Sequence, residues 1–152
     1  YQHMAAWWEE AFDEGLWAAA WSKSLEGLTP EEAAWQPPSG PGVADAGRRH
    51  SIWQIVLHMI FWRENWLRRV ATGQKPTKEE IAAGSFPMVH HITEEAWAAT
   101  RAHFNQTQQR IGDVLNNLTP ESEPVMYFLP HDSYHFGQIN YLRAMLGLKP
   151  IE

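Results

Sequence analysis

Apolar positions recur along this chain with the 3.6-residue period of an α-helix, and no stretch shows the two-residue alternation of a strand. Four long segments carry the helical period. The first runs from about Met4 to Leu28; it lacks proline and is dominated by Ala, Leu, Trp and Glu, which helices accept well or moderately well. The second opens at Ser51, where Ser51-Ile52-Trp53-Gln54 predicts a capping box with Ser51 as N-cap. It ends near Gly73, after the basic pair Arg68 and Arg69 that suits a helix C-terminus. The third follows Thr93, a capping residue with Glu94 and Glu95 behind it, and continues to about Leu118. The fourth spans about Leu129 to Leu146 and is closed by Gly147.

The links differ in character. Residues 36–47, Gln-Pro-Pro-Ser-Gly-Pro-Gly-Val-Ala-Asp-Ala-Gly, fit neither helix nor strand and are long enough to cross the end of a bundle. Thr29-Pro30-Glu31-Glu32 predicts a short extra helix with Thr29 as N-cap and Pro30 at its first position. The link from Gly73 to Ile92 contains Pro76, Gly84 and Pro87, with a short helix expected around Lys78 to Ala83. The pattern predicts an all-α chain: one domain over residues 4–152, a four-helix bundle with long crossover links rather than simple up-down-up-down order. Tyr1, Gln2 and His3, ahead of Met4, read as an expression remnant.

Composition narrows the function classes. With 44% hydrophobic and 20% charged residues the chain is ordinary globular material. A net charge of −6 argues against a nucleic-acid partner. No apolar run is long enough to span a bilayer, and Glu9, Glu10, Asp13 and Glu14 interrupt the only early apolar stretch. The cytoplasm is therefore the expected compartment. Cysteine is absent, which removes disulfides, thiolate ligands and a cysteine nucleophile. Nine tryptophans imply large aromatic surfaces in a core, a pocket or a subunit interface. Together with a second helix that is apolar on several sides, they predict a homodimer built partly from the first two long helices.

Histidine carries the candidate chemistry. His131 and His135 are four residues apart, which stacks their imidazoles one turn apart on one helix face. Eight histidines in 152 residues make that spacing common by chance. Its setting is more telling. At about 100° per residue, His131 shares its face with Tyr134, His135, Gln138, Leu142, Met145 and Leu146, and Asp132 is turned about 100° away toward a surface or interface. His58 sits deep in the apolar run of the second long helix, with Gln54 and Trp62 on its own face. His50, His90, His91 and His103 fall before a helix, in a loop or in a polar stretch. Two readings follow for His58, His131 and His135: a three-imidazole metal site, or a buried polar network in which Gln54 and Gln138 satisfy the rings. Gln138, Gln54, Trp62 and Tyr134 are the candidate surroundings of such a site.

Three stretches resemble the DinB-like (DinB/YfiT-like) superfamily of metalloenzymes. His131-Asp-Ser-Tyr-His-Phe-Gly-Gln-Ile, followed by Leu142-Arg143 and Gly147, is similar to that family's last-helix signature. Ser51-Ile-Trp-Gln-Ile-Val-Leu-His58, followed by Trp62, is similar to its second helix, and Leu28-Thr-Pro-Glu-Glu32, before the Pro-rich link, also resembles the family. The resemblance implies a four-helix bundle in up-down-down-up order, often dimeric. It also implies one divalent ion (zinc, nickel or iron) on His58, His131 and His135. Some relatives are transferases or isomerases that use a low-molecular-weight thiol such as bacillithiol or mycothiol. The expected function is accordingly a metal-dependent transferase that activates a small external thiol toward a small-molecule substrate. The alternatives are a metal-dependent hydrolase or a non-enzymatic, metal-binding, stress-associated dimer.

Overall fold

A computed structural model describes residues 3–40 and 49–151. Residues 41–47 of the crossover link, and Tyr1 and Gln2, lie outside the described residues. The described residues are all-helical: α1 (Met4–Asp13), α2 (Trp21–Ser24), α3 (Pro30–Ala34), α4 (Ile52–Thr72), α5 (Lys78–Gly84), α6 (Glu94–Asn116), a 3-10 helix (Glu123–Tyr127) and α7 (Phe128–Met145). None of these helices is long and apolar enough to cross a membrane.

Local chemistry sets most of the boundaries. Thr29, Ser51 and Thr77 each close a capping box, accepting from the backbone N–H three residues on while the Glu or Gln there accepts from the cap. Thr93 caps α6 by accepting from the Ala96 N–H at 3.2 Å. Gly73 ends α4 in the left-handed region, at φ +74, and donates to the Arg69 carbonyl at 2.8 Å.

The first predicted helix is the main departure. Instead of running to Leu28 it stops at Asp13 and resumes only as α2. Gly15 adopts φ +89 and donates to the Glu10 carbonyl at 2.7 Å, which terminates the turn. A Cβ on Gly15 would collide with the Ala18 carbonyl oxygen, so glycine is required there twice over. The break lets α2 fold back along α1 and lean on α7. Trp8 meets Trp21 edge to face at 5.2 Å, and Trp21 stacks flat on Phe136 at 5.2 Å. Trp8 and Trp21 are therefore core, whereas Trp17 is fully exposed in the connecting turn.

Helix α4 is the centre of the molecule and packs against α3, α5, α6 and α7. Ile52, Val56 and Met59 of α4, Phe104 and Ile111 of α6 and Ile139 of α7 are sealed from solvent between these helices. Burying side chains of this size stabilises the fold by about 1.5–3 kcal/mol each. That packing fixes the α4–α7 interface on which the histidines sit.

Candidate metal centre

α4 contributes His58, and α7 contributes His131 and His135. Their ring centroids form a triangle with sides of 4.6 Å (His58–His135), 4.6 Å (His131–His135) and 5.5 Å (His58–His131). One ligand nitrogen from each ring lies within 4.8 Å of the others. His58 and His135 are buried, and His131 is partly exposed.

Each ring has one nitrogen committed to an oxygen. The Nδ1 of His58 donates to the Ser85 carbonyl at 2.9 Å, with the Ser85 hydroxyl at 3.0 Å. His131 donates from Nδ1 to Asp132 Oδ1 at 2.7 Å, and His135 from Nδ1 to Gln138 Oε1 at 2.8 Å. A carbonyl or carboxylate oxygen only accepts, so the proton sits on Nδ1 and the Nε2 lone pairs are left for the common centre. Oxygen acceptors behind ligand imidazoles fix tautomer and ring angle in this way at metal sites generally. Burial, reinforced by the neighbouring His135, lowers His58 to about 4; His135 is also lowered, chiefly by burial. Both rings are therefore neutral near pH 7, the form that binds a cation. Three neutral nitrogens without a thiolate suit one divalent ion with at least one position left for another ligand.

The supports of the triangle reach deep into the fold. Asp132 Oδ2 takes the Nε of Arg63 at 2.8 Å and its Nη2 at 2.6 Å, with both side chains fully buried. Arg63 Nη1 donates to Thr107 Oγ1 and Nη2 donates also to Gln108 Oε1, both of α6, and the guanidinium lies over the Trp8 and Phe104 rings. On the opposite side, Ser85 closes α5. That helix is held to α4 by Arg68, whose Nη1 and Nη2 reach Glu80 at 3.0 and 3.3 Å. Phe86 then stacks on the His58 ring at 4.0 Å and on His50 at 3.8 Å.

Several expectations change. Asp132 is not at a surface; it is the charged link between a candidate ligand ring and the core. The buried residues of α7 are Phe128, Asp132, His135, Phe136, Ile139 and Leu142. On the histidine face, His135 and Leu142 are buried, His131 is partly exposed, and Tyr134 and Met145 are exposed. Gln54 does not serve the imidazoles. Its Oε1 accepts from the Ser51 N–H and from Gln36, and its Nε2 donates to the Pro87 carbonyl. Gln138 does reach a ring, and it also donates to the Tyr134 hydroxyl at 3.1 Å. Trp62 stands edge-on to His58 at 6.4 Å. Glu80 is both the ion-pair partner of Arg68 and the residue that completes the capping box of α5. Sequence reasoning missed Arg63, Ser85 and Phe86. Arg63 had a signal, as a lone charge inside an apolar helical run; Ser85 and Phe86, in an irregular link, had none.

The triangle opens onto two cavities. One of about 1170 Å³ is reached past His58 and His135 and is bordered by Arg49, His50, Tyr134 and Gln138. The other, of about 560 Å³, lies beyond His131. The match to known families comes from a family model described as the DinB superfamily, which covers residues 11–146. The chain belongs to the DinB superfamily. Neither the curated proteins nor the solved structures contain a match. For a DinB superfamily chain the three imidazoles, each with an oxygen behind it, form a donor set that fits a divalent ion.

Proposed function

We propose that this DinB superfamily protein is a metal-dependent transferase that brings a small external thiol to an electrophilic small molecule. The observation that carries the reading is the outlet of the triangle: one ring nitrogen from each of the three histidines lies within 4.8 Å of the others, and His58 and His135 border a cleft of about 1170 Å³, ample for a thiol cofactor. A divalent ion held by His58, His131 and His135 would supply Lewis acidity, lowering the pKa of a thiol or water bound to it. The chain's own groups do the rest. Ser85, Asp132 and Gln138 hold the three rings in one tautomer, and Phe86 and Trp62 wall His58 from solvent. Arg49 and His50 offer cationic and hydrogen-bonding contacts to a polar thiol at the cleft mouth. The absence of cysteine means that sulfur has to come from outside.

The hydrolase alternative needs a carboxylate directed at the reacting water, and among the described residues no Asp or Glu borders either cavity. The native metal (zinc, nickel or iron), the up-down-down-up order of the long helices and a homodimer belong to the same proposal; exposed Trp7 and Trp17 support the dimer.

Cobalt-substituted protein tests it. A bacillithiol- or mycothiol-like thiol should alter the visible spectrum, and loaded protein should accelerate conjugation of that thiol to a model electrophile, while His135→Ala should do neither. A spectrum indifferent to every thiol, together with metal-dependent hydrolysis of an ester or amide, would replace this reading with the hydrolase.

A further inference from the structure

The smaller cavity, about 560 Å³ beside His131, has a composition of its own. Trp62 and Trp66 of α4 and Phe128 of α7 form its walls, with Trp66 and Phe128 edge to face at 6.1 Å. The only charged side chains on it are Arg69 and Lys75; no Asp or Glu lines it among the described residues. A doubly cationic rim on an aromatic pocket runs against the −6 charge of the chain. Neither cation has a carboxylate partner among the described residues, whereas the adjacent Arg68 is paired with Glu80. The dipole of α4 accounts for Arg69 at its C-terminal turn. It does not account for Lys75, which lies beyond the helix end and borders the same cavity.

We infer that this cavity binds an apolar carboxylate, an aryl- or alkyl-substituted acid. Its apolar body lies against Trp62, Trp66 and Phe128, and its carboxylate is taken by Arg69 and Lys75. The body reaches to the His131 imidazole, which places one substrate on the His131 side of the triangle and leaves the larger cleft to the other. The inference rests on the transferase reading for its biological sense, since a two-substrate reaction needs two rooms, but binding itself does not depend on turnover.

The test titrates 4-phenylbutyrate and its neutral counterpart 4-phenylbutan-1-ol into the full chain as purified, and again after zinc loading. Calorimetry gives the affinities. The indole N–H signals of Trp62 and Trp66, assigned through Trp62→Phe and Trp66→Phe, give the location. The acid should shift both signals saturably and bind about tenfold or more tighter than the alcohol, as expected for hydrogen bonds to charged groups. An Arg69→Gln/Lys75→Gln double variant, altered only at exposed positions, should lose that preference while still binding the alcohol. Equal binding of acid and alcohol, unmoved indole signals, or acid binding that appears only after zinc loading would each overturn the inference. A cobalt spectrum unresponsive to thiols would remove the transferase while leaving phenylbutyrate binding intact, so the two failures are distinguishable.

Discussion

Arg63 and Asp132 form a fully buried ion pair, 2.6 Å between Nη2 and Oδ2, and the same carboxylate holds His131 through its other oxygen at 2.7 Å. One side chain thus joins the α4–α6–α7 core to a candidate ligand. Breaking such a pair strands a charge where water cannot reach it, at a cost of about 3–5 kcal/mol. Asp132→Asn should lower stability by that order, measured by urea unfolding. It should also weaken metal affinity about 10–100-fold, measured by chelator competition, because the acceptor behind His131 loses its charge. An Arg63→Met/Asp132→Leu double variant should be less destabilised than either single change, since it strands nothing.

Metal occupancy follows from the three convergent Nε2 atoms. Elemental analysis of protein purified without a His-tag should find close to one divalent ion per chain. His58→Ala, His131→Ala and His135→Ala should each abolish it. Wild-type protein that takes up no divalent ion on reconstitution would refute the site.

Acid sensitivity has a definite sign. Burial lowers His58 from its ordinary 6.5 to about 4, so between those values the unfolded chain takes up a proton that the folded state refuses. Metal-free protein should keep the full contribution of this group above about pH 6.5 and lose it as pH falls toward 4, a loss on the order of 3 kcal/mol. His135, shifted in the same direction, adds to the effect. Melting temperatures across this range should fall less steeply for His58→Gln than for wild type. In loaded protein the metal-linked gain should shrink over the same interval, and an equal gap at pH 5 and pH 7.5 would count against imidazole ligation.

The turn after α1 can be tested by glycine chemistry. Gly15→Ala should destabilise by about 1–3 kcal/mol, through both the positive φ and the collision with Ala18. Gly27→Ala, with the same sign of φ but open space around it, should cost less. Trp17 adopts φ +59 while fully exposed, so Trp17→Gly should be neutral or mildly stabilising in the monomer. In denaturant titrations the two glycine variants should differ; equal losses would mean that backbone conformation alone sets the cost.

Assembly is read by light scattering. A homodimer is expected at micromolar concentration, and a 17.5 kDa species there would refute it. Trp7→Ser and Trp17→Ser should shift the equilibrium toward monomer if those exposed rings form the contact.

Helix boundaries were legible wherever one local interaction sets them. The cap at Thr29, the box at Ser51, the cap at Thr93 and the stop at Gly73 follow from residues three or four apart, and the structure places them where the sequence predicts. The break at Gly15 was hidden because helical composition continues on both sides of it. What selects the bend is the packing of Trp21 on Trp8 and Phe136, contacts more than ten residues apart in sequence.

The site divides along the same line. His58, His131 and His135 could be chosen from spacing, helix face and family likeness, because ligand type and turn geometry are local properties. The rotation of α7 about its own axis could not. The periodic pattern turns Asp132 toward a surface or interface, yet the buried ion pair with Arg63 holds Asp132 in the core, with His135 buried and His131 partly exposed beside it. That outcome depends on Thr107 and Gln108 of α6 and Trp8 of α1, which together make a cavity polar enough for a guanidinium. Sequence thus determined most helix boundaries and the candidate ligand residues. Tertiary structure decided that Ser85 stands behind His58 and Asp132 behind His131, because an unpaired charge cannot remain in a low-dielectric core and each helix must rotate until its buried charges are matched.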